Sequence, residues 1–174
     1  MDLKRYTHAD ARDVRSLLLD IHAEAYADDP DPFHSRERFS YFVDLWSSRE
    51  NWQCVSGWED GGPVGYAYGS MLKPGGWWKG HQRPVTARGA VFALSELMVI
   101  PKWRGTGRAR LLHDALLESV PADLVSLQVE TGRTKVQALY ERWGYSKAGE
   151  SQPSEDSPRY AVMVKKLKHE FLSV

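Results

Sequence analysis

Residues 91–117 read VFALSELMVIPKWRGTGRARLLHDALL, a ten-residue, mostly apolar run, then a proline, a glycine turn and a helix pattern. That run is the strongest strand signal in the chain. Leu111, Leu112, Ala115 and Leu116 then recur at helical spacing, and LVSLQVE supplies a further buried strand. A strand, helix and strand from 92 to 130 demand a right-handed crossover between parallel neighbours. The chain must therefore build a sheet with a helix laid on its face.

The remaining segments fit around that unit. Leu3 to Tyr6 predicts a first strand, and Thr7 with Asp10 has the form of a capping box ahead of a helix carrying Val14, Leu17, Leu18, Ile21 and Ala25. The prolines and aspartates of YADDPDPF force a loop, and Phe39, Phe42, Val43 and Trp46 then share one face of a second helix. Asp60-Gly61 supplies the turn of a hairpin. In its second strand, Tyr66 and Tyr68 alternate with Gly65, Ala67 and Gly69, leaving one face nearly bare for close approach. After a long irregular connection, 73–90, come the central strand, its helix and LVSLQVE. A helix over TKVQALYERWG and two closing strands, YSKAGES and RYAVMVKKL, complete the chain. The expected order is β-α-α-β-β-β-α-β-α-β-β, an α/β (α+β mixed sheet) domain spanning 1–174.

Bulk properties remove several functions. Lysine plus arginine and aspartate plus glutamate each number 23, so no net field draws the chain to nucleic acid or membrane. Cys54 stands alone, which rules out an intrachain disulfide and suits a reducing compartment. With no signal-peptide core at its start and no membrane-length apolar run, a cytoplasmic location is expected. The six histidines lack metal-site spacing, and no G-x-S-x-G elbow is present. No metal is expected.

Glycine raises the conformational cost of a helix entrance, so Gly105 and Gly107 need a reason. A strand, a glycine turn and a helix form a phosphate cradle, since the first N–H groups of a helix lack acceptors and its dipole is positive there. Gly105, Thr106, Gly107, Arg108 and Ala109 would offer those N–H groups, with Arg104 and Arg108 adding charge. A P-loop needs G-x-x-x-x-G-K-S/T, and no lysine follows Gly107. A dinucleotide fingerprint puts glycine or alanine where Arg110 stands, and three strands precede the motif, which does not suit a doubly wound sheet.

LSELMVIPKWRGTGRARLL resembles the acetyl-CoA-binding motif of the GNAT superfamily of N-acetyltransferases, roughly L-x-V-x-P-x-x-R/Q-G-x-G-x-A/G. ALYERWGY resembles that family's second motif, A-L-Y-x-x-x-G-F/Y. The specific motifs cover residues 94–145, and the predicted element order matches along the whole chain. The resemblance departs at Arg133, where the family often has asparagine, and in the length of the 73–90 connection.

The resemblance implies acetyl-CoA as co-substrate, its pantetheine arm paired with the backbone of Leu97, Met98 and Val99 like an added strand. Its pyrophosphate would rest on the N–H groups of Gly105 to Ala109. The implied reaction is direct attack of an amine on the thioester. An amine of pKa near 10.4 pays about 4–5 kcal/mol to be neutral at pH 7, so a base is useful. Glu96 is the candidate base, acting through a water; the alternative is a carboxylate that only binds a cationic substrate or an arginine. Tyr140 corresponds to the family's acid for the departing thiolate. On reference values, transfer from phenol to thiolate is uphill by about 2 kcal/mol, so a hydrogen bond suffices.

Expected partners are acetyl-CoA and a small-molecule primary amine, with a homodimer allowed for. The loops YADDPDPFHSRE and GESQPSEDSPR carry acids that suit a cationic acceptor, while Trp77 and Trp78 offer a stacking wall or a cap on the sheet edge. A peptide or protein acetyltransferase and a non-catalytic acyl-CoA sensor are the rival readings.

Overall fold

The computed structural model describes residues 1–167, and residues 168–174, including the end of the expected domain, lie outside the described residues. The elements are β1 (Asp2–Thr7), α1 (Ala11–Ala25), α2 (Arg36–Ser47), β2 (Gln53–Glu59), β3 (Gly62–Met71), β4 (Val91–Val99), α3 (Arg108–Leu117), β5 (Leu124–Glu130), α4 (Thr134–Arg142), β6 (Ser146–Ser151) and β7 (Tyr160–Lys166). This is the expected order. Hydrogen bonding arranges the strands β1-β2-β3-β4-β5-β7-β6, a mixed sheet in which β4 and β5 run parallel. The chain forms two compact units, one of residues 1–70 and 94–120, the other of residues 71–93 and from 121 on.

In the first unit, β1, β2 and β3 form an antiparallel meander, and Asp60 and Gly61 turn the hairpin with φ of 53° and 76°. Positive φ at both positions matches the right-handed twist of the strands. The register sets Cys54 opposite Tyr68 and Ser56 opposite Tyr66. Alternation sends Cys54 and both tyrosines to one face, where they pack with Leu18 and Ile21 of α1 and Phe39 and Val43 of α2. On the opposite face α3 crosses β2 so closely that a Cβ on Gly57 would lie 3.3 Å from Leu112 Cδ2. The bare positions of β3 admit backbone rather than a helix. A Cβ on Gly65 would collide with the Met98 carbonyl oxygen of β4, and Ile100 N–H donates to Val64 O at 3.0 Å.

In the second unit, the opening residues of β4, Val91–Ala93, pair in parallel with Leu124–Ser126 of β5. The rest of β5 continues antiparallel to β7, and β7 to β6 with a register shift between Lys147 and Gly149. The 73–90 connection is ordered by its own bonds. Arg83 donates to the Ala87 and Gly89 carbonyls, and the Asp123 carboxylate takes the Ala90 N–H at 2.7 Å. Among the described residues no helix is long and apolar enough to cross a membrane.

Candidate functional site

In the first unit, β4 runs into a single helical turn, Pro101–Trp103, and then into the glycine segment. Thr106 Oγ1 donates to the Trp103 carbonyl, and Gly107 O accepts the N–H groups of Arg110 and Leu111 to start α3. Gly105 and Gly107 have φ of 73° and 81°, where an L side chain is strained. A Cβ at either would meet nothing within 4 Å. The turn itself therefore requires both glycines, independently of any close approach. The space above them is open. Among the described residues the backbone N–H groups of Gly105 to Ala109 have no acceptor, which leaves a row of donors at the positive end of α3.

The two arginines of the motif are already held. Arg108 grips Glu59 with both arms of its guanidinium, Nε to Oε2 at 3.0 Å and Nη2 to Oε1 at 2.6 Å, and lies 4.5 Å over the Trp103 ring. Hydrogen bonding to that guanidinium holds the Glu59 carboxyl below its ordinary range. Arg104 donates to Val99 O and to Ala25 O, both at 3.1 Å, tying the end of β4 to the end of α1. Both arginines adjoin the donor row in sequence, but Arg108 brings its counter-ion with it.

Glu96 is half-buried on β4, with Leu97 half-buried and Met98 and Val99 buried after it. Its charge acts on Tyr66 and Tyr68, whose phenols burial already pushes well above the ordinary value. The sequence marks these tyrosines through their alternation with glycine and alanine, yet that pattern says nothing of what their hydroxyls face.

In the second unit, Tyr140 is buried on α4 and packs edge-on against Trp143 and Tyr145, each with ring centroids 5.3 Å away. Arg133, at the start of α4, donates from Nε to Glu130 Oε2 at 3.0 Å, while Gln137 Nε2 caps the Thr131 carbonyl at 3.0 Å. The arginine found in place of asparagine thus pairs with the carboxylate that ends β5. Trp77 and Trp78 are half-buried. Trp77 packs against Ala87, Val91 and Leu124 and donates to His81 Nδ1; Trp78 donates to Ser126 Oγ at 2.8 Å. Several acids of the two acidic loops have partners within their own units: Asp29 faces His34, and Glu150 holds Lys147 and Arg159.

Comparison with known proteins bears on the whole arrangement. The family model described as Acetyltransferase (GNAT) family matches residues 16–145. No curated protein sequence matches. Among solved structures, the histone acetyltransferase HPA2 and related acetyltransferase of Corynebacterium glutamicum is 18% identical, with a TM-score of 0.64 over 98% of each chain. An acyl-CoA N-acyltransferase of Pseudomonas aeruginosa is 18% identical, with a TM-score of 0.60 over 95% of this chain and 99% of that one. Naa20 of Chaetomium thermophilum, solved with a bisubstrate analogue, is 19% identical, with a TM-score of 0.60 over 96% and 87%. At such identities the likeness to these structures is one of fold. The family match spans most of the chain and takes in both motifs, so the chain belongs to the GNAT family of acetyltransferases, enzymes that draw their acetyl group from acetyl-CoA.

Proposed function

We propose that the chain transfers the acetyl group of acetyl-CoA to the nitrogen of a small-molecule primary amine by direct attack on the thioester. One observation carries the coenzyme half of this reading: the row of N–H groups from Gly105 to Ala109 at the start of α3, which find no acceptor among the described residues. Such a row suits a pyrophosphate, and Arg104 and Arg108 neighbour it in the sequence. The backbone of Leu97, Met98 and Val99 is assigned to the pantetheine amides, and these residues lie beyond Val91–Ala93, where β4 pairs with β5. Glu96 takes the amine's proton, directly or through water. Tyr140 steadies the departing thiolate by donating a hydrogen bond.

The acceptor's size rests on the 73–90 connection. Its tryptophans are half-buried and braced by Ser126 and His81, a rigid wall that suits a compact ring-bearing amine better than an extended chain. A peptide amine is the second reading, favoured by the fold shared at 18% identity with a NatC complex solved with Gag peptide and CoA. Release of CoA dependent on added amine, screened over amino sugars, polyamines, amino acids and short peptides, separates the two. Activity confined to peptides refutes the small-molecule assignment. Tyr140→Phe is expected to slow turnover about tenfold or more with little change in coenzyme affinity; unchanged turnover removes Tyr140 from the mechanism.

A further inference from the structure

Three buried polar groups of the first unit have no part in the reaction as described. The Tyr66 and Tyr68 hydroxyls and the Trp52 indole N–H find no hydrogen-bond partner among the described residues, although each of these side chains is at most 1% exposed. Their rings contact one another in sequence. Trp52 and Tyr68 have centroids 5.7 Å apart, and Tyr68 and Tyr66 stack at the same distance with planes 6° from parallel.

Folded proteins leave few buried polar groups unmet, and ordered water is the usual partner where protein atoms do not reach. Trp52, Tyr66 and Tyr68 pack in one cluster with Met98, two residues beyond Glu96 on β4, so these donors lie near the strand that carries an acceptor. Of the groups whose charge bears on Tyr66, namely Glu96, Tyr68, Cys54 and Tyr26, Glu96 supplies the carboxylate. Tyr68 feels Glu96 and Cys54. Burial keeps both phenols and the Cys54 thiol protonated, and His22, on α1 beside Tyr26, is neutral near pH 7 because burial lowers it to about 4. Phenols that never ionise are permanent donors, and donors aimed at a carboxylate favour its charged form.

We propose that Tyr66 and Tyr68 are positioning residues for Glu96: water bound between them relays their O–H groups to the carboxylate and holds it in place and ionised. The inference rests on the reading of Glu96 as the base, because an ionised, fixed carboxylate is what proton removal requires.

The test uses the whole protein without substrate. Glutamate labelled with carbon-13 at the side-chain carboxyl is followed through a pH titration, with the Glu96 signal assigned by its loss in Glu96→Gln. In Tyr66→Phe/Tyr68→Phe the Glu96 midpoint is expected to rise by about half a unit or more. Melting temperature supplies the second readout. A hydroxyl bonded to water makes Tyr→Phe destabilising, whereas a dry, orphaned hydroxyl makes it stabilising. An unmoved Glu96 midpoint, or a higher melting temperature in both single variants, overturns the proposal. A wild-type crystal structure tests it without any variant: waters within hydrogen-bond reach of both hydroxyls support it, and a dry site refutes it. Amine-dependent CoA release by Glu96→Gln tests the base reading separately, since neither the titration nor the melting depends on turnover.

Discussion

Gly107→Ala separates the conformational role of the glycine turn from its binding role. Gly107 has φ of 81°, and a methyl group there meets nothing within 4 Å, so crowding contributes no cost. Backbone strain does, at about 1–2 kcal/mol for a non-glycine residue in the left-handed region. Part of that is offset because alanine restricts the unfolded chain, leaving about 1 kcal/mol net and a fall in melting temperature of about 2–4 °C. Binding should suffer more. Relaxing residue 107 towards negative φ turns its own N–H and that of Arg108 away from the donor row. Two charge-assisted hydrogen bonds of about 1.5–3 kcal/mol each are then weakened. A loss of about 3 kcal/mol corresponds to about a hundredfold rise in the Kd for CoA. Gly75→Ala is the matched control, with φ of 75° and equally open space, in the 73–90 connection. Calorimetric titration with CoA and thermal melting should show both variants destabilised alike, with affinity lost in Gly107→Ala alone. Wild-type affinity in Gly107→Ala, or equal losses in the two variants, would refute the assignment of these N–H groups to the coenzyme.

Other expectations follow from charge and burial. His22 is held down to about 4, first by burial and then by the charges of His34 and Arg36, against an ordinary 6.5. Between those values the unfolded chain binds a proton that the folded one refuses. Stability is therefore full above pH 6.5 and falls as pH drops towards 4, by at most about 1.4 kcal/mol per pH unit. His22→Phe keeps the stack on Phe39, whose centroid lies 3.7 Å away, and should shrink the change in urea midpoint between pH 7 and 5; an undiminished change would exclude His22 as its source. Glu59 is depressed by Arg108, so its contribution is full above the ordinary 4.5 and lost as pH falls through the lowered value. The melting difference between wild type and Glu59→Gln should accordingly close in acid, and a constant difference would count against the ion pair. Trp77→Ala should raise the acceptor's KM if the indole walls its site, while an unchanged KM would assign Trp77 to packing against Ala87, Val91 and Leu124.

The elements were legible because each signal is local. Asp60-Gly61 names its turn type, and the apolar run of β4 stops at Pro101. The donor row could be foreseen for the same reason, since strand, glycines and helix adjoin in sequence. What could not be read joins distant residues. In the sequence Arg108 adds charge beside the cradle; its pairing with Glu59, 49 positions earlier, depends on how the β2–β3 hairpin meets α3. Trp78 looked available for stacking, yet its indole N–H reaches Ser126, 48 residues on. Tyr66 and Tyr68 gave away their face through alternation but not the orphaned state of their hydroxyls, because hydrogen-bond satisfaction is a property of packed neighbours.

The single cysteine has a practical consequence. Cys54 is 1% exposed near the start of β2, and burial pushes its thiol well above the ordinary value of 9. Reagents that colour on meeting a thiolate need both access and ionisation, and the native protein grants neither. Every equivalent of colour developed during turnover then reports liberated coenzyme, with no blank from the catalyst, and a slow rise in that blank would signal the chain unfolding in the cuvette.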